Sequence, residues 1–291
     1  MSDRVFIIGP GHVGRGLSRA FRASGVRLIG LHGKRPAGIA TSTGPLPAEI
    51  SLANVIIVSV RDSELDGAIS EVIDAEGKRQ LTAGTVVLHT SAIAEPSGID
   101  TLRARGFGAG TFHPLVPFTD PEASAELLRH GWIGVDGDNA AINASRRLAG
   151  QIGARTMDIP AGKKAAYHAA AVIASNFPVV LASVASRLLR DIGMPEGSSL
   201  QAVTSLIGGA LSNMSQSVPD DVLTGPVLRG DTETVARHLR ALGPHGDAQE
   251  VYRALSVAAV TIAQRRGTDP KKIAALTGVL KPDKRREDTQ E

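Results

Sequence analysis

"VFIIGPGHVGRGLSRAFRASG", residues 5–25, is the stretch whose reading decides the fold. A strand-like run, "VFII", ends in Gly9, Gly11 and Gly14, which form G-x-G-x-x-G and pass directly into a helical stretch. Each glycine has a separate task in such a turn. Gly9 permits the tight reversal, Gly11 lets a pyrophosphate approach the backbone, and Gly14 lets the helix pack closely on the sheet. The opening of the helix, at Gly11, His12 and Val13, offers free N–H groups and a partial positive charge to the phosphates. Strand, triplet, helix and second strand follow in order within about thirty residues, which favours a dinucleotide site over a turn that is merely rich in glycine.

Working outward, the same alternation recurs as far as Ile159. Short β-branched runs, "VRLIGL", "NVIIVSV", "TVVLHTS", "FGAGTFH", "WIGVDG" and "RTMDI", are separated by helical stretches, the pattern of βα units around a mostly parallel sheet. The rhythm stops after Pro160. From Ala161 the chain reads as long helices broken by Pro and Gly, as in "IGMPEGSS" and "SVPDDVLTGPVLRGD". The expected organisation is α/β over residues 1–160, a Rossmann-type dinucleotide-binding domain with a parallel sheet, then an all-helical substrate domain over 161–280. The charged run 281–291 is expected to be a disordered tail.

Composition removes several classes of function. With no cysteine, a disulfide framework, a thiolate metal site and a cysteine nucleophile are all excluded. The histidines lack metal-ligand spacing, so no metal site is expected, and no G-x-S-x-G elbow points to a hydrolase. A net charge of +3 with 3% aromatic residues is a poor match to a nucleic-acid binder, and an anionic small ligand accounts for the excess. No apolar stretch long enough to cross a membrane is expected, and the N-terminus has no secretory pattern, so a cytoplasmic location and no membrane partner are the defaults.

The second strand should end in an acidic residue if it is to hold the ribose 2′-hydroxyl of NAD. "HGKR", residues 32–35, stands there instead. Lys34 and Arg35 suit a 2′-phosphate, so NADP is favoured and NADPH should bind better than NADH; the alternative is a basic pair that solvates a loop. The next strand ends at Ser59, Val60, Arg61 and Asp62, where ligands lie in open α/β sheets, so Ser59 and the backbone of Val60 are expected to meet the cofactor and Asp62 to cap the following helix. Two further strand ends carry His89, Thr90 and Ser91, and His113 with Pro114. Ser91 either caps a helix or bonds to cofactor or substrate, and His113 either anchors a loop or touches substrate.

"GKKAAYHAAAVIASN", residues 162–176, opens the helical half. At about 100° per residue, His168 lies about 40° from Lys164 and Ser175 about 20°, one narrow polar stripe, with Tyr167 about 60° to one side and Asn176 about 120° round. Asn176 joins the stripe only if the helix bends, as Pro178 allows. Ala166, Ile173 and Phe177 would form the packing face. A reductase that moves hydride to a carbonyl or imine carbon must hold or protonate the substrate heteroatom, and Lys164 supported by His168 is suited to that. The stripe Lys164, His168, Ser175 and Asn176 is therefore the candidate catalytic set, against the alternative of a snorkelling lysine and a satisfied core histidine. Further on, Thr224, Gly225 and Arg229 are candidate substrate contacts beside His113 and Tyr167, Arg229 as a carboxylate ligand, and Asp231 should cap the helix "TETVARHL".

Together the glycine loop, "FHPL", "KKAAYHAAAVIASN" and "LTGPVLRGD" resemble a family of Rossmann-like proteins with a helical C-terminal domain of unknown function. That domain is similar to those of pyrroline-5-carboxylate reductase, deazaflavin-dependent NADP reductases and β-hydroxyacid dehydrogenases. The resemblance implies an oxidoreductase and a homodimer intertwined through the helical domains. It also aligns Lys164 with the lysine of the β-hydroxyacid dehydrogenases and puts His168 where their asparagine stands, a departure that leaves the substrate class open. "LTGP" is similar to the turn bordering the substrate pocket of pyrroline-5-carboxylate reductases. The expected function is an NADP-dependent reductase of a small carbonyl or imine compound at the cleft between the domains, with Lys164 as proton donor or oxyanion stabiliser. A non-catalytic dinucleotide-binding sensor or scaffold is the alternative, since a glycine loop establishes binding and not chemistry.

Overall fold

The computed structural model describes residues 2–36, 38, 40–77, 81–243 and 245–281. Residues 282–291 of the expected tail lie outside them. The chain forms two compact units, residues 1–176 and 177–291.

The first unit is built on an eight-stranded sheet in the order β3-β2-β1-β4-β5-β6-β7-β8. Its elements run β1 (Arg4–Ile8), α1 (His12–Ala23), β2 (Arg27–Gly33), β3 (Ser42–Thr43), β4 (Val55–Val58), α2 (Asp62–Gly77), β5 (Val86–His89), α3 (Ile99–Ala104), β6 (Gly108–Pro114), α4 (Pro121–Leu128), β7 (Trp132–Gly137), α5 (Asn139–Gln151) and β8 (Arg155–Asp158). All neighbouring strands are parallel except β6 and β7, which are antiparallel. The two-residue β3 is too short to carry a sequence signal of its own.

Successive side chains of a strand point to opposite faces, and here both faces are covered. Val5 and Ile7 of β1 and Val55 and Ile57 of β4 pack with Leu17 and Phe21 of α1 and Leu148 of α5. The alternate residues Phe6, Ile8, Ile56 and Val58 pack with Leu65, Ile69 and Val72 of α2 and Leu102 of α3. This two-sided burial is why the strands read as unbroken apolar runs.

The helical part comprises α6 (Lys164–Asp191), α7 (Glu196–Met214), α8 (Pro219–Val222), α9 (Pro226–Arg229), α10 (Thr232–Ala241), α11 (Gly246–Arg265) and α12 (Pro270–Leu280). The core of the second unit gathers Val227, Val235, Leu239, Val260, Ala263, Ile273, Leu276 and Leu280 from α9 to α12. Asp231 caps α10 as expected, accepting from the Thr234 amide at 3.0 Å. The Rossmann-type parallel sheet followed by helices is thus observed.

Helix α6 corrects two expectations. It is long and apolar enough to cross a membrane by length and composition, with mean hydropathy 1.7 over an 18-residue window of which 6% is buried. Residues 165–186 hold no Asp, Glu, Lys or Arg, a run that the interspersed His168, Ser175, Asn176 and Pro178 disguise. Nor is the face of Ile173 and Phe177 packed within the chain: they are 61% and 49% exposed. The helix runs unbroken through Pro178.

Candidate active site

All geometry in this section lies within the first unit, except where the second is named. The glycine turn is held from beneath. Gly9, at φ +110°, donates its amide to the His32 carbonyl at 2.8 Å, and the Ser59 amide donates to the Ile8 carbonyl at 2.7 Å. The Ser59 hydroxyl donates to the Gly9 carbonyl at 2.9 Å. Ser59, expected to meet the cofactor, is buried and spends its hydroxyl on shaping the turn.

The glycines differ in what a side chain would meet. A Cβ at Gly9 would lie 2.4 Å from the Ser59 carbonyl oxygen, and one at Gly14 2.0 Å from the Gly9 carbonyl oxygen, whereas one at Gly11 meets nothing within 4 Å. The outer glycines are thus demanded by packing and the middle one faces open space. Gly11 is the N-cap of α1 with no side-chain cap, and the first turn, which includes His12 and Val13, carries no acid. A helix start with amides uncapped by any side chain and an open approach over Gly11 fits a dinucleotide pyrophosphate. Arg15, a residue the motif alone does not single out, closes the loop by donating from Nε to the Pro10 carbonyl at 2.8 Å.

At the end of β2, Lys34 pairs with Glu71 of α2 at 2.8 Å, so its charge is already met. Arg35 is exposed and makes no ion pair among the described residues. Val60 is half-buried ahead of α2. Asp62 is the first residue of α2, one position past the cap, and there its charge favours the helix dipole. The Ser91 hydroxyl accepts from the amides of Ala94 at 2.9 Å and Ile93 at 3.3 Å, so it stabilises the turn after β5.

Lys164 is buried at the start of α6, 6% exposed. Its Nζ lies 3.2 Å from Asp136 of β7, 3.1 Å from Glu95 and 3.5 Å from the Ala94 carbonyl, both in the turn after β5. An ammonium has three hydrogens, and three acceptors surround this one. Neither carboxylate was singled out in the sequence. Lys164 ties β7, the β5 turn and α6 together through residues far apart in the chain, which no spacing within one motif reveals. Nearby, His89 Nε2 meets the Thr111 hydroxyl at 3.2 Å. Burial, with the Lys164 charge adding to it, pushes the His89 imidazole down to about 4.

The polar groups one turn further along α6 face a different space. A cavity of about 590 Å³ lies between the segment following β6 and α6, and His113, His168, Ser175 and Asn176 line it. The same cavity is walled by Leu115, Val116 and Val172. Four of the expected site residues therefore meet in one place, Asn176 among them, while Lys164 points into its ion cluster. Tyr167 OH lies 2.9 Å from His113 Nδ1. The hydroxyl rests over Gly134 of β7, where a Cβ would approach it to 2.1 Å. Burial is the main cause that lowers His113 to about 4, with His168 adding to it, and burial raises Tyr167 to about 12. At neutral pH both groups are uncharged. The His113 and His168 ring centroids are 6.4 Å apart.

Thr224, Gly225 and Arg229 belong to the second unit. Gly225, at φ +106°, precedes α9, and Thr224 and Arg229 are exposed. Thr224 lines a separate apolar groove with Tyr252 and Leu255. Among the described residues no group of three or more His, Cys, Asp or Glu is placed to hold a metal.

Comparison with known proteins places this geometry in context. Residues 132–259 match the family described as "Domain of unknown function (DUF2520)", a segment that begins at β7 and ends within α11. No match is found among curated proteins. Among solved structures, protein TM1727 from Thermotoga maritima is similar at TM-score 0.67 and 22% identity, over 90% of this chain and 99% of that one. Pyrroline carboxylate reductase of Plasmodium falciparum, with NADP bound, is similar at TM-score 0.58 and 11% identity, over 94% of this chain and 98% of the other. An imine reductase from Myxococcus stipitatus in complex with NADP+ is similar at TM-score 0.57 and 16% identity, over 96% of this chain and 100% of the other. Residues 132–259 thus resemble the DUF2520 family, and the chain shares its fold with reductases that bind NADP.

Proposed function

We propose that the protein is an NADP-dependent oxidoreductase that reduces a small carbonyl or imine compound. The observation that carries this reading is the glycine turn: a Cβ is refused at Gly9 and Gly14 and free at Gly11, above a helix start without cap or acid. Gly11, His12, Val13 and Gly14 would hold the pyrophosphate, Arg35 the 2′-phosphate, and the Val60 and Ser91 turns would border the nicotinamide. Bound NADPH would supply a hydride, and the chain must then orient the substrate and meet the charge on its heteroatom. Lys164 contributes there as a fixed cation, because its hydrogens are already directed at Asp136, Glu95 and the Ala94 carbonyl. Of these partners Glu95 is the one that can move, its side chain being 71% exposed.

The test is calorimetric titration with NADPH and NADH, followed by a carbonyl and imine panel read at the nicotinamide absorbance. Arg35→Ala should weaken NADPH by about tenfold, the worth of one charge-assisted contact, and leave NADH nearly unchanged. Equal losses for both would remove the 2′-phosphate assignment. The same enclosure of Lys164 favours a second reading, a dinucleotide-binding sensor or scaffold without turnover. Tight NADPH binding with no substrate oxidising it, across both panels, would select that reading.

We also propose that a second copy covers the helical part. Val179 of α6, Ile192 in the turn after α6 and Leu206 of α7 are 70%, 76% and 74% exposed, more bare apolar surface than a free chain normally presents. Light scattering should return twice the mass of one chain. A monomer in detergent-free buffer would count against it.

A further inference from the structure

We infer that His113 is the group that meets the substrate oxygen, that Tyr167 fixes it in the Nε2–H form, and that the substrate is an uncharged carbonyl compound with an apolar body. This rests on the reductase reading above and assigns the proton donor and the substrate class within it.

The contact between the two side chains bears on the tautomer. Tyr167 OH and His113 Nδ1 are 2.9 Å apart. With its pKa pushed up to about 12 by burial, the phenol keeps its hydrogen throughout the neutral range. It can then donate to Nδ1 or accept from an Nδ1–H, and the inference is the first direction. An imidazole whose Nδ1 accepts must, when neutral, carry its hydrogen on Nε2. The Tyr167 ring in turn is positioned by Gly134, because any side chain there would collide with the hydroxyl. The rings of His113 and Tyr167 stand edge to face with centroids 5.6 Å apart, which holds the imidazole plane as well as its tautomer. His113 also lines the 590 Å³ cavity, a volume in the range of small-molecule sites.

The lining gives the substrate class. Among the described residues that border this cavity there is no Asp, Glu, Lys or Arg. A substrate carboxylate would find no cation there and a protonated imine no anion, and burying either unpaired is costly. A neutral carbonyl needs one donor, and His113 Nε2–H supplies it while Leu115, Val116 and Val172 cover the rest.

When the carbonyl carbon gains a hydride, its oxygen takes the electron pair of the C=O π bond and becomes an alkoxide. The Nε2 proton passes to that oxygen and the Tyr167 proton passes to Nδ1. The phenolate then recovers a proton from water, so one hydride and one proton are consumed for each alcohol formed. His113 is the catalytic residue in this scheme and Tyr167 its positioning partner and proton reserve.

The test uses full-length protein with NADP+ and histidine labelled with 15N. At neutral pH the His113 signals should report a protonated Nε2 and a bare Nδ1, and Tyr167→Phe should give a mixture of tautomers. Finding the hydrogen on Nδ1 in the unmutated protein overturns the inference. With NADPH, Tyr167→Phe should lower kcat by about a hundredfold while KM and the NADPH Kd stay within about twofold. Unchanged kcat overturns it as well. His113→Gln, which keeps a donor near the Nε2 position, should retain more activity than His113→Leu; equal activities count against a donor role. Ketones should be preferred by at least about a hundredfold in kcat/KM over the same skeletons bearing a carboxylate, and the reverse order removes the substrate class. Failure of NADPH to bind would remove the parent reading and this one together. NADPH binding with the wrong tautomer removes this one alone.

Discussion

Gly11→Ala and Gly14→Ala should separate binding from folding, although they lie three positions apart in one motif. At Gly14 a Cβ would stand 2.0 Å from the Gly9 carbonyl oxygen and 2.6 Å from the Ser59 hydroxyl oxygen, so the backbone of the turn or the helix must move. Overpacking against backbone costs about 3 kcal/mol, the upper part of the usual range, because neither neighbour is a flexible side-chain end. For a unit of this size each kcal/mol lowers Tm by about 2–4 °C, so a loss of about 6–12 °C is expected without any ligand. Gly11 sits at φ −72°, ψ −173°, which alanine adopts freely, and its Cβ would meet nothing within 4 Å. The cost there is only the weaker N-cap preference of alanine, about 1 kcal/mol at most. The same methyl would occupy the approach over the helix start, and NADPH affinity should fall by about tenfold or more, since it removes contacts worth at least about 1.4 kcal/mol. The assays are thermal melts without cofactor and calorimetric NADPH titrations of both variants. A Gly11→Ala protein that binds NADPH as tightly as the parent would refute the assignment of the open face to the pyrophosphate. A Gly14→Ala protein with an unchanged Tm would refute the packing argument.

Lys164→Met should lower stability by about 2 kcal/mol, since Asp136 loses a charge-assisted partner in a half-buried site, and adding Asp136→Asn should recover part of that loss in a double-mutant cycle. Full additivity of the two losses would show that the pair carries no coupling. Stability should also fall on mild acidification, because His89 is held neutral by burial. Its folded pKa of about 4 lies below the ordinary imidazole value of 6.5, so as pH falls below 6.5 the unfolded chain takes up the proton first. The contribution is intact above 6.5, is lost progressively down to about 4, and amounts to about 3 kcal/mol at 1.36 kcal/mol per unit. His113, lowered to about 4 as well, loses stability over the same window, so His89→Asn should roughly halve the slope in urea melts taken from pH 7 to pH 4, and an equally steep slope in the variant would reject His89 as a source.

The parts of this molecule that were legible in the sequence are those fixed by neighbours in the chain. β1, its glycine turn and α1 follow within twenty residues, and Gly9 and Gly14 answer to contacts inside that segment or with Ser59. β1 and β4 could be read because burial on both faces makes them apolar runs, while β3, two residues long, could not. Helical periodicity correctly grouped His168 and Ser175, which line one cavity. It could not separate Lys164 from them, because what turns Lys164 away is Asp136 and Glu95, contributed by β7 and the turn after β5. Ser59 and Ser91 illustrate the same limit. Both stand at strand ends where a ligand is expected, but the Ser59 hydroxyl is bonded to the glycine turn after β1 and the Ser91 hydroxyl to its own turn.

Helix α6 joins these lines of argument, because one segment answers to three demands. Its first residue is charged and buried, the next two turns carry the imidazole and phenol of the candidate site, and the stretch after Asn176 is apolar and exposed at Phe177, Val179 and Val180. A bilayer would have to accept His168, Ser175 and Asn176 within the same uncharged run, and polar side chains at such depth need partners inside the membrane. A protein surface does not impose that cost, because the polar turns can stay against their own sheet while only the later apolar residues are covered. The distribution of polarity along α6, rather than its mean hydropathy, is therefore what favours a second chain over lipid as its cover.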